Sequence, residues 1–82
     1  MHPLRQRDIR LRSEVIKDLL DRFHRNHRGF ASDLEISSGY WSQLVNRHRP
    51  LSPEIRRRLL DHQLVRSAQL SEVDLWTVTE LP

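Results

Sequence analysis

Ser38, Gly39, Ser42, Gln43 and Asn46 recur at intervals of three, four and seven residues. On a helix that spacing gathers them on one face. Trp41 and Leu44, also three apart, fall on the opposite side and can anchor such a helix to a core. The first face is polar and almost uncharged, a surface suited to exchanging hydrogen bonds with base edges in a major groove. Glutamine can bond adenine bidentately, and serine is a short donor and acceptor that accepts several partners. Arg47-His48-Arg49 follows directly. Arginine carries a planar fork that can donate two parallel hydrogen bonds to a phosphate.

Other chemistries have little support in the residues. The 82-residue chain has no cysteine, which removes disulfides, thiolate catalysis and cysteine-ligated zinc. It contains no nucleophile elbow, no glycine-rich phosphate loop and no H-E-x-x-H, so an enzyme is not expected. His24 and His27 are three apart but lack further ligands at suitable spacing, so no metal or cofactor is expected. Tyr40 could stack on a base, lie along a phosphate or simply sit at the surface.

The charge is unevenly placed, and arginine supplies 13 of the 14 basic residues. The segments 1–12, 13–46, 47–58 and 59–82 carry net charges of +3, −1, +4 and −3. Two basic zones therefore flank a nearly neutral middle, with an acidic tail behind them. Such zones suit a polyanionic partner, although solvated arginine faces have the same composition. Arg56-Arg57-Arg58 cannot all face one way on a helix, and at least one is expected to pair with Asp61 or Glu54. No run of about 18 apolar residues is present, and MHPLRQRD lacks the apolar core of a secretion signal. A cytoplasmic protein with no membrane contact is the expectation.

The elements that must position these residues read as helices. Ser13 can cap a helix from Glu14 to about Arg25, with Val15, Ile16, Leu19, Leu20 and Phe23 as its apolar stripe. Asn26 can cap a short helix from His27 to Leu34 that turns Phe30, Ala31 and Leu34 inward, with Gly29 in its first turn. Ser37 caps the helix that carries the polar face, to about Arg47. Ser52-Pro53 starts a fourth helix with Ile55, Leu59 and Leu60 inside, proline standing at N1 where its missing N–H is harmless. Over residues 70–81 two signals compete. Ser71 and Asp74 resemble a cap before a helix, whereas Trp76-Thr77-Val78-Thr79 alternates like a strand. A short helix is the expectation there. Residues 1–12 read either as a basic arm, with Arg5, Arg7 and Arg10 reaching a minor groove, or as packed structure through Ile9-Arg10-Leu11.

The order and spacing of Ala31, Leu34-x-Ile36, Ser37, Tyr40-Trp41-Ser42-Gln43-Leu44, Asn46, Arg47-His48-Arg49 and Leu51-Ser52-Pro53 resemble the Cro/repressor-like (XRE-type) helix-turn-helix family over about residues 14–64. The resemblance implies an all-α, four- to five-helix, lambda-repressor-like domain at 13–66, and outside it the residues read as a basic arm at 1–12 and a C-terminal segment of uncertain structure at 67–82, expected to serve dimerisation. It implies base reading by Ser38, Gly39, Ser42 and Gln43. It also implies phosphate contacts from His27, Arg28, Tyr40, Asn46, Arg47, His48 and Arg49. Two positions depart from the pattern: Glu35 stands where the family has glycine in the turn, and Arg47 where glycine often follows the asparagine. A left-handed glutamate would carry some strain.

A single such module spans few base pairs, so a homodimer on double-stranded DNA is expected, acting as a transcriptional regulator. Its dimer or partner surface is expected at Leu70, Val73, Trp76, Val78 and Leu81. A protein-binding role on the same fold, such as an antitoxin or phage accessory factor, and non-specific nucleic-acid binding are the rivals. No small-molecule ligand is expected.

Overall fold

The computed structural model describes residues 6–81, and the side chains of residues 7–80. Along the chain run β1 (Gln6–Leu11), α1 (Ser13–Arg22), α2 (His27–Asp33), α3 (Ser38–Val45), α4 (Pro53–Asp61), α5 (Gln63–Ser67), α6 (Glu72–Leu75) and β2 (Trp76–Leu81). The expectation of an all-α domain is overturned: β1 and β2 pair as a two-stranded antiparallel sheet. Ile9 lies opposite Val78, and Leu11 opposite Trp76. In β1, Ile9 and Leu11 are buried, whereas Arg10 between them is only half-buried. That two-residue alternation is the strand period. The sheet joins the two ends of the described chain and contributes Ile9, Leu11 and Trp76 to the core of the helices.

Between the strands the helices follow their local signals closely. Asn26 Oδ1 accepts the Gly29 N–H at 2.7 Å, Ser37 Oγ that of Tyr40 at 3.0 Å, and Ser52 Oγ that of Ile55 at 3.2 Å. Each supplies one of the acceptors a helix start lacks. α1 differs from expectation at both ends. Arg12 holds the N-cap position without a side-chain capping bond, its Nε instead donating to the Val73 carbonyl at 3.1 Å, and Ser13 lies inside the helix, its hydroxyl donating to the Val45 carbonyl at the end of α3. The helix stops at Arg22 because His24 turns left-handed at φ 54°.

That stop recurs. His24, Glu35, Arg47 and Gln69 all have positive φ, 54°, 61°, 62° and 56°, and none is glycine. At each, the following N–H reaches five residues back: Arg25 to the Leu20 carbonyl, Ile36 to Ala31, His48 to Gln43 and Leu70 to Val65, at 2.9–3.1 Å. This is the Schellman closure, in which a left-handed residue lets the chain satisfy the last helical carbonyls. The sharp turns that give the domain its shape are therefore made by residues with a Cβ.

The C-terminal expectation of a short helix holds only for α6, four residues long. Asp74 Oδ2 accepts from the Ser71 N–H at 2.8 Å and from its hydroxyl at 2.9 Å. From Trp76 the chain is strand, because pairing with β1 satisfies its backbone and buries the indole. One core holds Leu11, Ile16, Phe30, Leu34, Trp41, Leu44, Leu59 and Leu75, each at most 1% exposed. No helix among the described residues is long and apolar enough to cross a membrane.

Candidate nucleic-acid interface

α2 and α3 pack against each other across a four-residue turn, Leu34 to Ser37. Three features hold that turn. Leu34 is buried, Glu35 takes the left-handed conformation, and Arg58 of α4 donates through Nη1 to the Leu34 carbonyl at 2.8 Å while its Nη2 meets Glu54 at 2.7 Å. The arginine–glutamate pair expected on α4 thus also braces the turn. Trp41 and Leu44, 1% and 0% exposed, fasten α3 to the core. Ser38, Gly39, Ser42, Gln43 and Asn46 are consequently all exposed, on one face. A Cβ built on Gly39 would meet nothing within 4 Å, so glycine is not required there by the protein's own packing.

The polar face is already internally bonded. Asn46 Nδ2 donates to Ser42 Oγ at 3.3 Å, one helical turn back. Arg49 Nε donates to Gln43 Oε1, and its guanidinium carbon lies 6.0 Å from the centre of the Tyr40 ring. Tyr40 is half-buried. Around this face the basic groups Arg28, Arg47, His48 and Arg49 are exposed. His27 is exposed too, but its Nδ1 accepts the Trp41 indole N–H at 3.0 Å. A neutral His27 ring then carries its proton on Nε2, a donor that the Trp41 bond leaves unused. His27, Arg28, Ser38, Ser42 and Asn46 line one shallow hollow between α2 and α3, floored by Trp41 and Val45.

In the described part of residues 1–12 the chain is packed structure, one of the two expected readings. Arg7 and Arg10 belong to β1, and Arg5 lies outside the described residues. Arg10 is held by both Asp8 oxygens at 3.0 Å and donates through Nη1 to the Arg47 carbonyl at 2.9 Å. Its work is positional: with the Leu51 N–H to Ile9 carbonyl bond at 2.8 Å, it fixes the loop that carries Arg47, His48 and Arg49. Ser13 does the same for the end of α3, through Val45. Sequence reasoning missed both roles; only the alternation of Ile9-Arg10-Leu11 hinted at the strand. Arg47 ends α3 in the left-handed conformation and sends Nη2 to Thr77 Oγ1 at 3.4 Å.

The expected dimer or partner residues separate. Trp76 is 5% exposed and belongs to the core, so it is removed from that surface. Leu70 is half-buried against the core. Val73 and Val78 are exposed, at 76% and 53%, and share a shallow depression with Arg12, Glu72, Trp76 and Thr77. The Leu81 side chain lies outside the described ones.

Two carboxyls titrate below their ordinary value. Asp33 is lowered first by its hydrogen bond to His62 Nε2 at 2.9 Å, and by Arg25. His62 Nδ1 accepts the Leu64 N–H at 3.1 Å, so the ring spans the start of α5 and the end of α2. Asp74 is lowered first by the Ser71 backbone N–H. Neither belongs to the α3 face, where the neutral side chains leave the surrounding cations to set the potential. No protein-family model matches the chain, and neither does any curated protein or solved structure.

Proposed function

We propose that this protein is a sequence-specific double-stranded DNA-binding transcriptional regulator, of the bacterial or phage type that the helix-turn-helix resemblance suggests. α3 would enter the major groove with Ser38, Gly39, Ser42 and Gln43 toward base edges. His27, Arg28, Tyr40, Asn46, Arg47 and His48 would run along the phosphates. The observation that carries this is the exposed, uncharged polar face of α3 held on a buried Trp41–Leu44 anchor and ringed by exposed cations. Neutral hydrogen-bonding groups suit base edges, and peripheral arginines suit phosphates.

The protein acts as a homodimer in this reading, because one recognition helix covers too few base pairs for a useful specificity. Val73 and Val78, exposed apolar residues away from the α3 face in sequence, supply the contact between protomers. Regulation is by occupancy of an operator. The test is selection from a random duplex library at roughly 150 mM salt, where phosphate-only binding is weakened. An enriched inverted repeat with half-sites about one helical turn apart is the expected result. No enrichment, together with binding that collapses as salt rises, would leave only non-specific attraction by arginines.

A further inference from the structure

Arg49 comes from the α3–α4 loop, where its sequence neighbours suggest a phosphate contact, yet its guanidinium lies on the polar face of α3. Its Nε is bonded to Gln43 Oε1, and its plane sits near the Tyr40 ring, one helical turn before Gln43. The loop beneath it is fixed on both sides, by Arg10 to the Arg47 carbonyl and by the Leu51 N–H to Ile9. Arg49 is thus a preorganised side chain and not a loose surface cation. With Nε committed, Arg49 keeps the N–H donors of its two Nη groups at the distal end of the guanidinium. Gln43 Oε1 already accepts one hydrogen bond, and its amide nitrogen keeps both of its donors.

That spot is therefore richer in donors than in acceptors. A free glutamine reads adenine because adenine offers one acceptor, N7, and one donor, the N6 amino group. A glutamine whose oxygen already serves Arg49 is less free to make that match, while guanine offers two acceptors, N7 and O6, to a guanidinium fork. We propose that Arg49, oriented by Gln43 and Tyr40, is a specificity-determining residue that reads guanine in each half-site. This rests on the DNA-binding reading above and deepens it.

The test compares the wild-type protein, Arg49→Lys and Arg49→Ala on the selected duplex, on duplexes with guanine replaced by adenine or 7-deazaguanine, and on random duplex. Arg49→Lys keeps the charge but loses the fork. The expected result is that wild type prefers guanine by about 10-fold or more and loses most of that preference with 7-deazaguanine. Arg49→Lys loses the preference while its affinity for random duplex and its salt dependence stay those of wild type. If Arg49→Lys keeps the guanine preference, or if Arg49→Ala weakens every duplex by the same factor, Arg49 is a phosphate contact and this proposal is overturned alone. If wild type enriches no sequence at all, the DNA-reading role fails with it. Thermal melting of each variant, expected to match wild type for an exposed loop residue, separates lost recognition from lost folding.

Discussion

Glu35 in the α2–α3 turn gives the most decisive test of how the fold is held. Its φ of 61° places Cβ against the following carbonyl, a conformation that disfavours an L-residue by about 1–2 kcal/mol. Glu35→Gly removes that strain but makes the unfolded chain freer, which takes back about 0.4–1 kcal/mol. The net gain should be about 0.5–1 kcal/mol. For a domain of this size that is a rise of about 2–8 °C in melting temperature. A complication is charge, because Glu35 stands at the C-terminal end of α2, where an anion is disfavoured by about 0.3–1 kcal/mol. Glu35→Ala isolates this term: it removes the charge and keeps the Cβ. Both variants and Gln69→Gly, at φ 56° in an equivalent closure, should be compared by urea unfolding and thermal melting. Glycine should exceed alanine at position 35, and Gln69→Gly should gain by a similar amount. If Glu35→Ala stabilises as much as Glu35→Gly, charge and not backbone strain governs the turn, and the account of the four left-handed stops is wrong.

Three further outcomes are expected. Asp33→Asn should cost about 0.5–1 kcal/mol at neutral pH, as partly exposed ion pairs do. Because the folded-state value of Asp33 is depressed, its stabilisation is full above the ordinary carboxyl range near pH 4 and fades as pH falls through the folded value. Urea unfolding of wild type and Asp33→Asn should therefore converge at low pH, and a constant gap would refute the His62–Asp33–Arg25 linkage. Ending the chain after Ser67 should unfold the domain and not merely separate protomers. It removes Leu75 and Trp76 from the core and leaves β1 unpaired, and Trp76→Ala alone should cost about 3–5 kcal/mol, read by circular dichroism. Val78→Arg should leave the melting transition of the monomer unchanged yet lower the dimer fraction in sedimentation equilibrium; an unaltered dimer would move the protomer contact elsewhere.

Much of the candidate interface was legible because its determinants are local. Asn26, Ser37 and Ser52-Pro53 each mark a helix start through bonds to residues three positions away, and the structure keeps all three. The separation of Trp41 and Leu44 from Ser38, Gly39, Ser42, Gln43 and Asn46 needs only helical period. What was illegible depends on partners far along the chain. Ser13 looked like a cap because serine before a helix usually is one, but its hydroxyl finds a carbonyl 32 residues away. Arg10 reads either as an arm or as packed structure because its acceptor, the Arg47 carbonyl, is 37 residues distant.

The sequence by itself determined where helices begin, which face of α3 is polar, and where the positive charge gathers, since capping, periodicity and charge are properties of neighbouring residues. Only the tertiary structure decided that Ile9-Arg10-Leu11 and Trp76-Thr77-Val78 are strands. A strand's backbone is satisfied by its partner, and here the partners stand at opposite ends of the chain, Arg10 against Thr77. It likewise decided that Trp76 is core and that Arg49 lies beside Gln43. Both depend on which loops and strands meet in space, and no local pattern of residue types encodes that meeting.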